Sequence, residues 1–297
     1  MNVNVNTAEA FAAMDDKELA RAEMAIARKY IGGFPFFMAF WGLGNLVCWL
    51  ALWPLVLTGL VPLWLAFPLA TLNVILCYLP SHEAQHSNYA RSGEPLRWLN
   101  EFIGYVSTIP MVLPFKVARL THMEHHSHTN DPDLDPDYQV KADNWWLALA
   151  TAYRKRQPGQ PNAYGETLTR MGDDPVVKRT MIEGAAQTLL FWGIISALAW
   201  SGYAIEAALV WWLPRYIGVF YISLLLSWAP HFPNPEKGRY RNTRHFKYPL
   251  GNVMALGMEY HIIHHLHPGM PLNRNPAAYR ELKPVLDARG CRDEVFS

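Results

Sequence analysis

Residues 30–81 read YIGGFPFFMAFWGLGNLVCWLALWPLVLTGLVPLWLAFPLATLNVILCYLPS, and these 52 positions contain no Asp, Glu, Lys or Arg. About 20 apolar residues carry a helix across a bilayer, so the run predicts two spans, at about 33–56 and 61–81, joined by a tight turn. A second apolar block, 186–230, holds only Glu206 and Arg215 as charges. It predicts two more spans, at about 186–203 and 209–230. Arg215 must either snorkel to the far interface or find a partner within the membrane.

Four spans place residues 1–29, 82–185 and 231–297 on one side, and these segments hold 4, 11 and 10 of the 26 Lys and Arg. The positive-inside bias makes that side cytoplasmic. The expected architecture is an all-α integral membrane protein. It has a cytosolic amphipathic helix within 1–29, four transmembrane helices, and a cytosolic helical cap built from 82–185 and 231–297. Asp15, Asp16 and Glu18 fall near the middle of the first helix and argue against a cleavable signal. In the cap, 144–156, 166–171 and 176–184 read as helices and RQPGQPNAYG, 156–165, as a loop. Residues 102–115 are apolar but too short to span and are broken by Pro110 and Pro114, which predicts a re-entrant or interface-lying segment. The balance of 26 basic against 25 acidic residues gives no electrostatic case for nucleic acid, and three cysteines supply no disulfide framework.

Just after the second span comes HEAQH, 82–86, the HExxH pattern in which two histidines one helical turn apart hold zinc and the glutamate activates water. Two further boxes follow, HMEHH at 122–126 and HIIHH at 261–265, and a lone His231 stands where the fourth span returns to the same face. Positions i, i+3 and i+4 share a helix face, so each box aims its imidazoles together. His82, His86, His122, His125, His126, His231, His261, His264 and His265 are the candidate metal ligands. Nine imidazoles exceed the four of one zinc and suit two ions. Imidazole accepts Fe, Cu, Zn and Ni, and iron is inferred because a hydrocarbon substrate at the membrane face requires a redox metal.

A zinc peptidase would use HExxH plus one further ligand and leave both HxxHH boxes idle. The nearest approach to the LDG element of membrane zinc peptidases, Leu286, Asp287 and Ala288, lacks the glycine. A non-catalytic metal or haem protein is a further competitor, but a four-helix haem protein would place single histidines inside the spans.

PSHEAQH, THMEHHSHTNDPDLDPD, the lone His231 and EYHIIHHLHPGMP together resemble the membrane fatty acid desaturase and hydroxylase superfamily, over roughly 79–271. The resemblance implies residues 30–297 as one membrane domain of mushroom shape, a di-iron centre on the nine histidines, and dioxygen as co-substrate. It also implies removal of hydrogen from a lipid CH2 group to give an alkene or an alcohol. WAPHFPNPEKGRYRNTR and HHLHPGMP are closer to the bacterial and carotenoid hydroxylase-like branch. A carotenoid hydroxylase or ketolase is therefore the alternative, and a bacterial inner membrane is expected rather than the endoplasmic reticulum. Electrons must come from a separate donor of ferredoxin, rubredoxin or cytochrome b5 type, since HPGM at 267–270 only approaches the HPGG of a fused cytochrome b5. Acyl-CoA desaturases carry an asparagine where this chain has Ser227.

Glu83, Glu124, Asp131 and Glu259 flank the boxes, and with Ser227 they are the candidates to back the metal ligands. DPDLDPDY, 131–138, lacks the glycine and terminal glutamate of a calcium loop and reads as a structural turn. His128, His245 and His267 are left outside the metal set. Lys237, Arg239, Arg241, Arg244 and Lys247 form a basic run suited to lipid headgroups or to an acidic electron donor.

Overall fold

The computed structural model describes residues 5–157, 159, 160 and 162–295, so Pro158 and Pro161 of the expected 156–165 loop lie outside the described residues. The chain is mostly helical. Helices α1 (Val5–Ala12) and α2 (Asp16–Ala27) replace the single amphipathic helix expected within 1–29. Asp15 is the reason. Its carboxylate accepts from the backbone N–H of Lys17 and Glu18, each at 2.8 Å, while the Glu18 carboxylate accepts from Asp15 N at 2.9 Å. This reciprocal cap starts a new helix at acids that the sequence reading placed in mid-helix.

Helices α3 (Phe36–Leu57) and α4 (Leu63–Gln85) are the first two candidate spans. Asn45 and Asn73 tie them together. Asn45 Nδ2 donates to Asn73 O at 3.0 Å and Asn73 Nδ2 to Asn45 O at 2.7 Å, giving both amide NH2 groups acceptors that lipid does not offer. Helix α4 continues four residues beyond the apolar run and so carries the first histidine box out of the membrane-spanning stretch on a rigid element.

Helices α5 (Arg97–Thr108) and α6 (Phe115–His128) form a hairpin around the apolar segment read as re-entrant. Gly104 permits it, because a side chain there would collide with the Phe115 ring. The cap continues through α7 (Trp145–Lys155) and α8 (Ala163–Arg170).

The third candidate span is a helical run of 57 residues, Pro175–His231. At 1.5 Å per residue it would measure about 85 Å, far more than the ~30 Å hydrocarbon core. It is broken at Gly202, whose φ of 95° is left-handed. The run comprises α9 (Pro175–Leu198), α10 (Ala204–Ala207), α11 (Leu213–Ile222) and α12 (Ala229–His231), with π-helical turns between them. Helix α9 joins the helix expected at 176–184 to the span expected from 186, and it starts at an Asp174 cap whose side chain accepts from Val176 N at 2.6 Å. Arg215 does not stand free in the run: its Nε donates to Met111 O of the α5–α6 bend at 3.0 Å. Helix α11 packs closely on α4, since a Cβ at Gly218 would lie 2.5 Å from Val74 Cγ1.

The tail forms α13 (His261–Leu266) and α14 (Asn275–Ala288), which share a core of Ile262, Ile263, Leu266, Leu282 and Leu286 with Ala27 of α2. A two-stranded parallel sheet, β1 (Arg244–Lys247) and β2 (Arg292–Val295), pairs Arg244 with Arg292 and closes the tail onto the segment after α12.

Candidate metal centre

Four helix ends bring the nine histidines together: the end of α4, the last two turns of α6, α12 and α13. They form two groups. His82, His86, His122, His126 and His264 make one, and His125, His231, His261 and His265 the other, with the ligand atoms in each within 4.8 Å of one another. Consecutive residues on a helix point about 100° apart, so each HH pair is split between the groups. The i and i+4 rings of the second box, His122 and His126, join the first group and His125 the second. The third box is mirrored, with His261 and His265 in the second group and His264 in the first.

The spacing tests whether these rings suit a metal. Donors about 2.1 Å from an ion lie about 3.0–4.2 Å from one another. His86 Nε2 is 2.9 Å from His122 Nε2, His126 Nε2 is 2.9 Å from His264 Nε2, and His261 Nε2 is 3.1 Å from both His231 Nε2 and His265 Nε2. These separations match the edge of a coordination shell. His82 is fully buried, and neither of its ring nitrogens has a hydrogen-bond partner among the described residues. An ion would engage a nitrogen otherwise buried at a cost. The groups adjoin, with the His126 and His265 rings stacked at 4.3 Å.

Burial, then the neighbouring rings, hold His86, His122, His126, His261, His264 and His265 well below the usual imidazole range. Neutral rings keep the lone pairs that metals require. His125 departs from this pattern: burial pulls it down, but the Asp135 and Asp137 carboxylates outweigh burial and leave it raised.

The outer bonds of the rings are not those expected. Asp135, not Asp131, accepts from His125 Nδ1 at 2.9 Å. Asn130 turns the chain at φ 64° and donates its N–H to the other Asp135 oxygen at 2.8 Å. His231 Nδ1 donates to Asn242 O at 3.0 Å. Among the described residues none of the five expected groups bonds a ring of either set. Asp131 caps the turn at Asp133 N and pairs with Lys237 at 2.7 Å; Glu124 pairs with His128 and Arg170; Glu259 stands 3.6 Å from His245. Ser227 Oγ donates to Asp137 Oδ2 at 3.1 Å. Glu83 accepts from Leu272 N at 2.8 Å and Asn88 Nδ2 at 3.1 Å, fastening the tail to α4. DPDLDPDY is thus a turn whose central acid orients a ring, a role signalled only by Asp135 lying at the end of an Asx-type turn.

His128, His245 and His267 pair with Glu124, Asp293 and Glu23. The basic run is neutralised within the chain: Lys237, Arg239, Arg241, Arg244 and Lys247 each lie within 4.0 Å of a carboxylate.

A helical membrane frame whose helix ends converge on two sets of imidazoles defines a membrane protein of the histidine-box class. The sequence pattern of the fatty acid desaturases matches residues 58–294, and the chain belongs to that family of oxidoreductases. An sn-1 oleoyl-lipid 12-desaturase of Picosynechococcus is 22% identical across 75% of this chain and 69% of its own length. An sn-1 acyl-lipid omega-3 desaturase (ferredoxin) of Nostoc is 21% identical across 69% and 60%. A chloroplastic omega-6 fatty acid desaturase of Spinacia oleracea is 22% identical across 69% of this chain and 50% of its own.

Proposed function

We propose that the protein is a membrane di-iron oxygenase that desaturates or hydroxylates a lipid hydrocarbon chain, using dioxygen and electrons from a separate donor. The observation carrying this reading is the sorting of nine buried or half-buried imidazoles into one set of five and one of four, the donor atoms of each set lying within 4.8 Å of one another. A single zinc of a peptidase would need only the first box and one more group. When bound, a pair of irons would activate dioxygen, the oxidant that attack on an unactivated C–H bond requires.

The chain's own contribution is placement. His82 and His86 come from the end of a spanning helix, so the reactive point lies where an acyl chain enters from the bilayer. Asp135 and Asn242 O fix the rotation and tautomer of His125 and His231. The ferredoxin in the name of the Nostoc relative supports an external donor of that kind.

The break at Gly202 supports reading the 57-residue run as two crossings, giving four in all. The termini and cap then face the cytoplasm with 25 of the 26 Lys and Arg. Metal analysis of the purified full chain tests the proposal: two non-haem irons per chain are expected, and one zinc or a haem spectrum overturns it. Mass spectrometry of lipids from cells with and without the active protein then identifies the product.

A further inference from the structure

A cavity of about 440 Å³ runs beside α11 and ends near the second histidine group, one helical turn from His231 at Ser227. Its size is ordinary for a ligand site; its charge is not. Arg156 and Arg215 line one part of it, and its one carboxylate, Asp137, lies at the other end beside Ser227. The Arg156 guanidinium lies 5.1 Å from the Phe220 ring and that of Arg215 5.1 Å from the Tyr216 ring, and these two rings, one turn apart on α11, are 6.4 Å from each other. Both guanidiniums thus lie against α11, Arg215 between Trp212 and Tyr216 and Arg156 at Phe220 and Ser223.

No carboxylate among the described residues lies within salt-bridge distance of either. Arg156 donates to Ala152 O at 2.8 Å and to Ser223 Oγ at 2.7 Å, and Arg215 to Met111 O at 3.0 Å. These neutral acceptors take a minority of the roughly ten N–H donors that two guanidiniums carry. Two partly desolvated cations lining one cavity, neither paired with a carboxylate, favour an anion there. Burial, with Arg215 adding to it, holds Arg156 below its usual range. The rim by the arginines is polar, with Lys155, Gln157, Gln160 and Asn162, whereas Val219 and Ile222 lead toward Ser227.

We propose that Arg156 and Arg215 form an anion subsite that holds the carboxylate or phosphate head of an acidic amphiphile while its hydrocarbon chain lies along α11 toward Ser227 and the histidines. This rests on the cavity being the substrate's route to the proposed metal centre. It selects an acidic lipid over a neutral carotenoid.

The test is equilibrium binding to the full chain in a neutral detergent, which requires neither turnover nor metal. Hexadecanoate, hexadecyl phosphate, methyl hexadecanoate and inorganic phosphate compete against radiolabelled hexadecanoate. Hexadecanoate or hexadecyl phosphate should bind at least about tenfold more tightly than the ester, and the better of the two names the head. Arg156→Gln and Arg215→Gln should each shrink that preference several-fold, with Arg156→Lys restoring part of it. Equal binding of acid and ester to the unmodified chain overturns the subsite. So does equal displacement by inorganic phosphate, or a preference that survives both Gln variants. Failure of the oxygenase reading would appear separately, in the iron content.

Discussion

The two histidine groups share α6 and α13, with α4 completing the first and α12 the second, but they are held in different ways. The group of four is tied from outside, His125 by Asp135 and His231 by Asn242 O, so two rings are fixed by bonds that exist without metal. The group of five includes a ring, that of His82, which is held by packing alone. Outside bonds fix orientation but leave a buried acid dependent on its ring; packing leaves orientation to the ion and tolerates the loss of one member. The largest expected effect follows. His125→Ala removes one of four donors and strands the Asp135 carboxylate, so iron should fall from two per chain to one and product formation by at least about a hundredfold. His82→Ala leaves four donors, enough for an ion, and should keep both irons with about a tenfold loss. Identical metal loss in the two variants would dissolve the distinction.

Asp135→Asn acts on the outside bond alone. An amide can still face His125 Nδ1, but the charge that holds the ring is gone, and affinity for the second metal should drop about ten- to a hundredfold while the first is unchanged. Competitive chelation resolves the two affinities. Equal weakening of both would mean that Asp135 supports the cap rather than one site.

The same contrast sets the pH response of the metal-free chain. Unfolded imidazoles titrate near ~6.5. Burial and mutual repulsion depress His86, His122, His126 and His264 in the first group and His261 and His265 in the second. Their contribution to stability is complete above that value and is lost as pH falls below it. His125 is raised, so its contribution is present at low pH and is lost as pH rises through its folded value. Depressed rings outnumber it, and thermal stability in detergent should fall between pH 7 and 5. Asp135→Asn removes the one opposing ring and should steepen the fall. A melting temperature that is flat or rising toward acid contradicts this.

These contrasts also mark what the sequence could disclose. Charge-free runs were legible because lipid forbids charge, and the first two observed helices start within a few residues of the predicted spans. In the cap, 176–184 read as a helix ahead of the third span, and α9 starts one residue earlier, at Pro175; what charge did not signal is that it runs unbroken into the span. The nine histidines were legible because helical spacing fixes which rings share a face. Their division into five and four was not: it depends on how α6 and α13 face one another across the centre. The supporting acid was misplaced by four residues. Proximity in sequence favoured Asp131, whereas the turn at Asn130 carries Asp135 back under α6. Arg156 carried no sequence signal, because its neighbours in space lie on α11.

The smallest expected effect concerns Glu83, the acid inside HEAQH. In a zinc peptidase it would activate water, and Glu83→Gln would abolish activity by orders of magnitude. Here both carboxylate oxygens face away from that task, one toward the Leu272 N–H and one toward Asn88 Nδ2. Gln keeps one acceptor for Leu272 and loses only the bond to Asn88, where two amino groups would then meet unless the side chain of Asn88 turns over to offer its oxygen. That adjustment is local to the side of α4 turned from the rings, so Glu83→Gln should retain both irons and about a third or more of the product yield, consistent with the modest net worth of one hydrogen bond. A loss comparable to that of His125→Ala would place Glu83 in the chemistry of the first group and reopen a hydrolytic reading of the site.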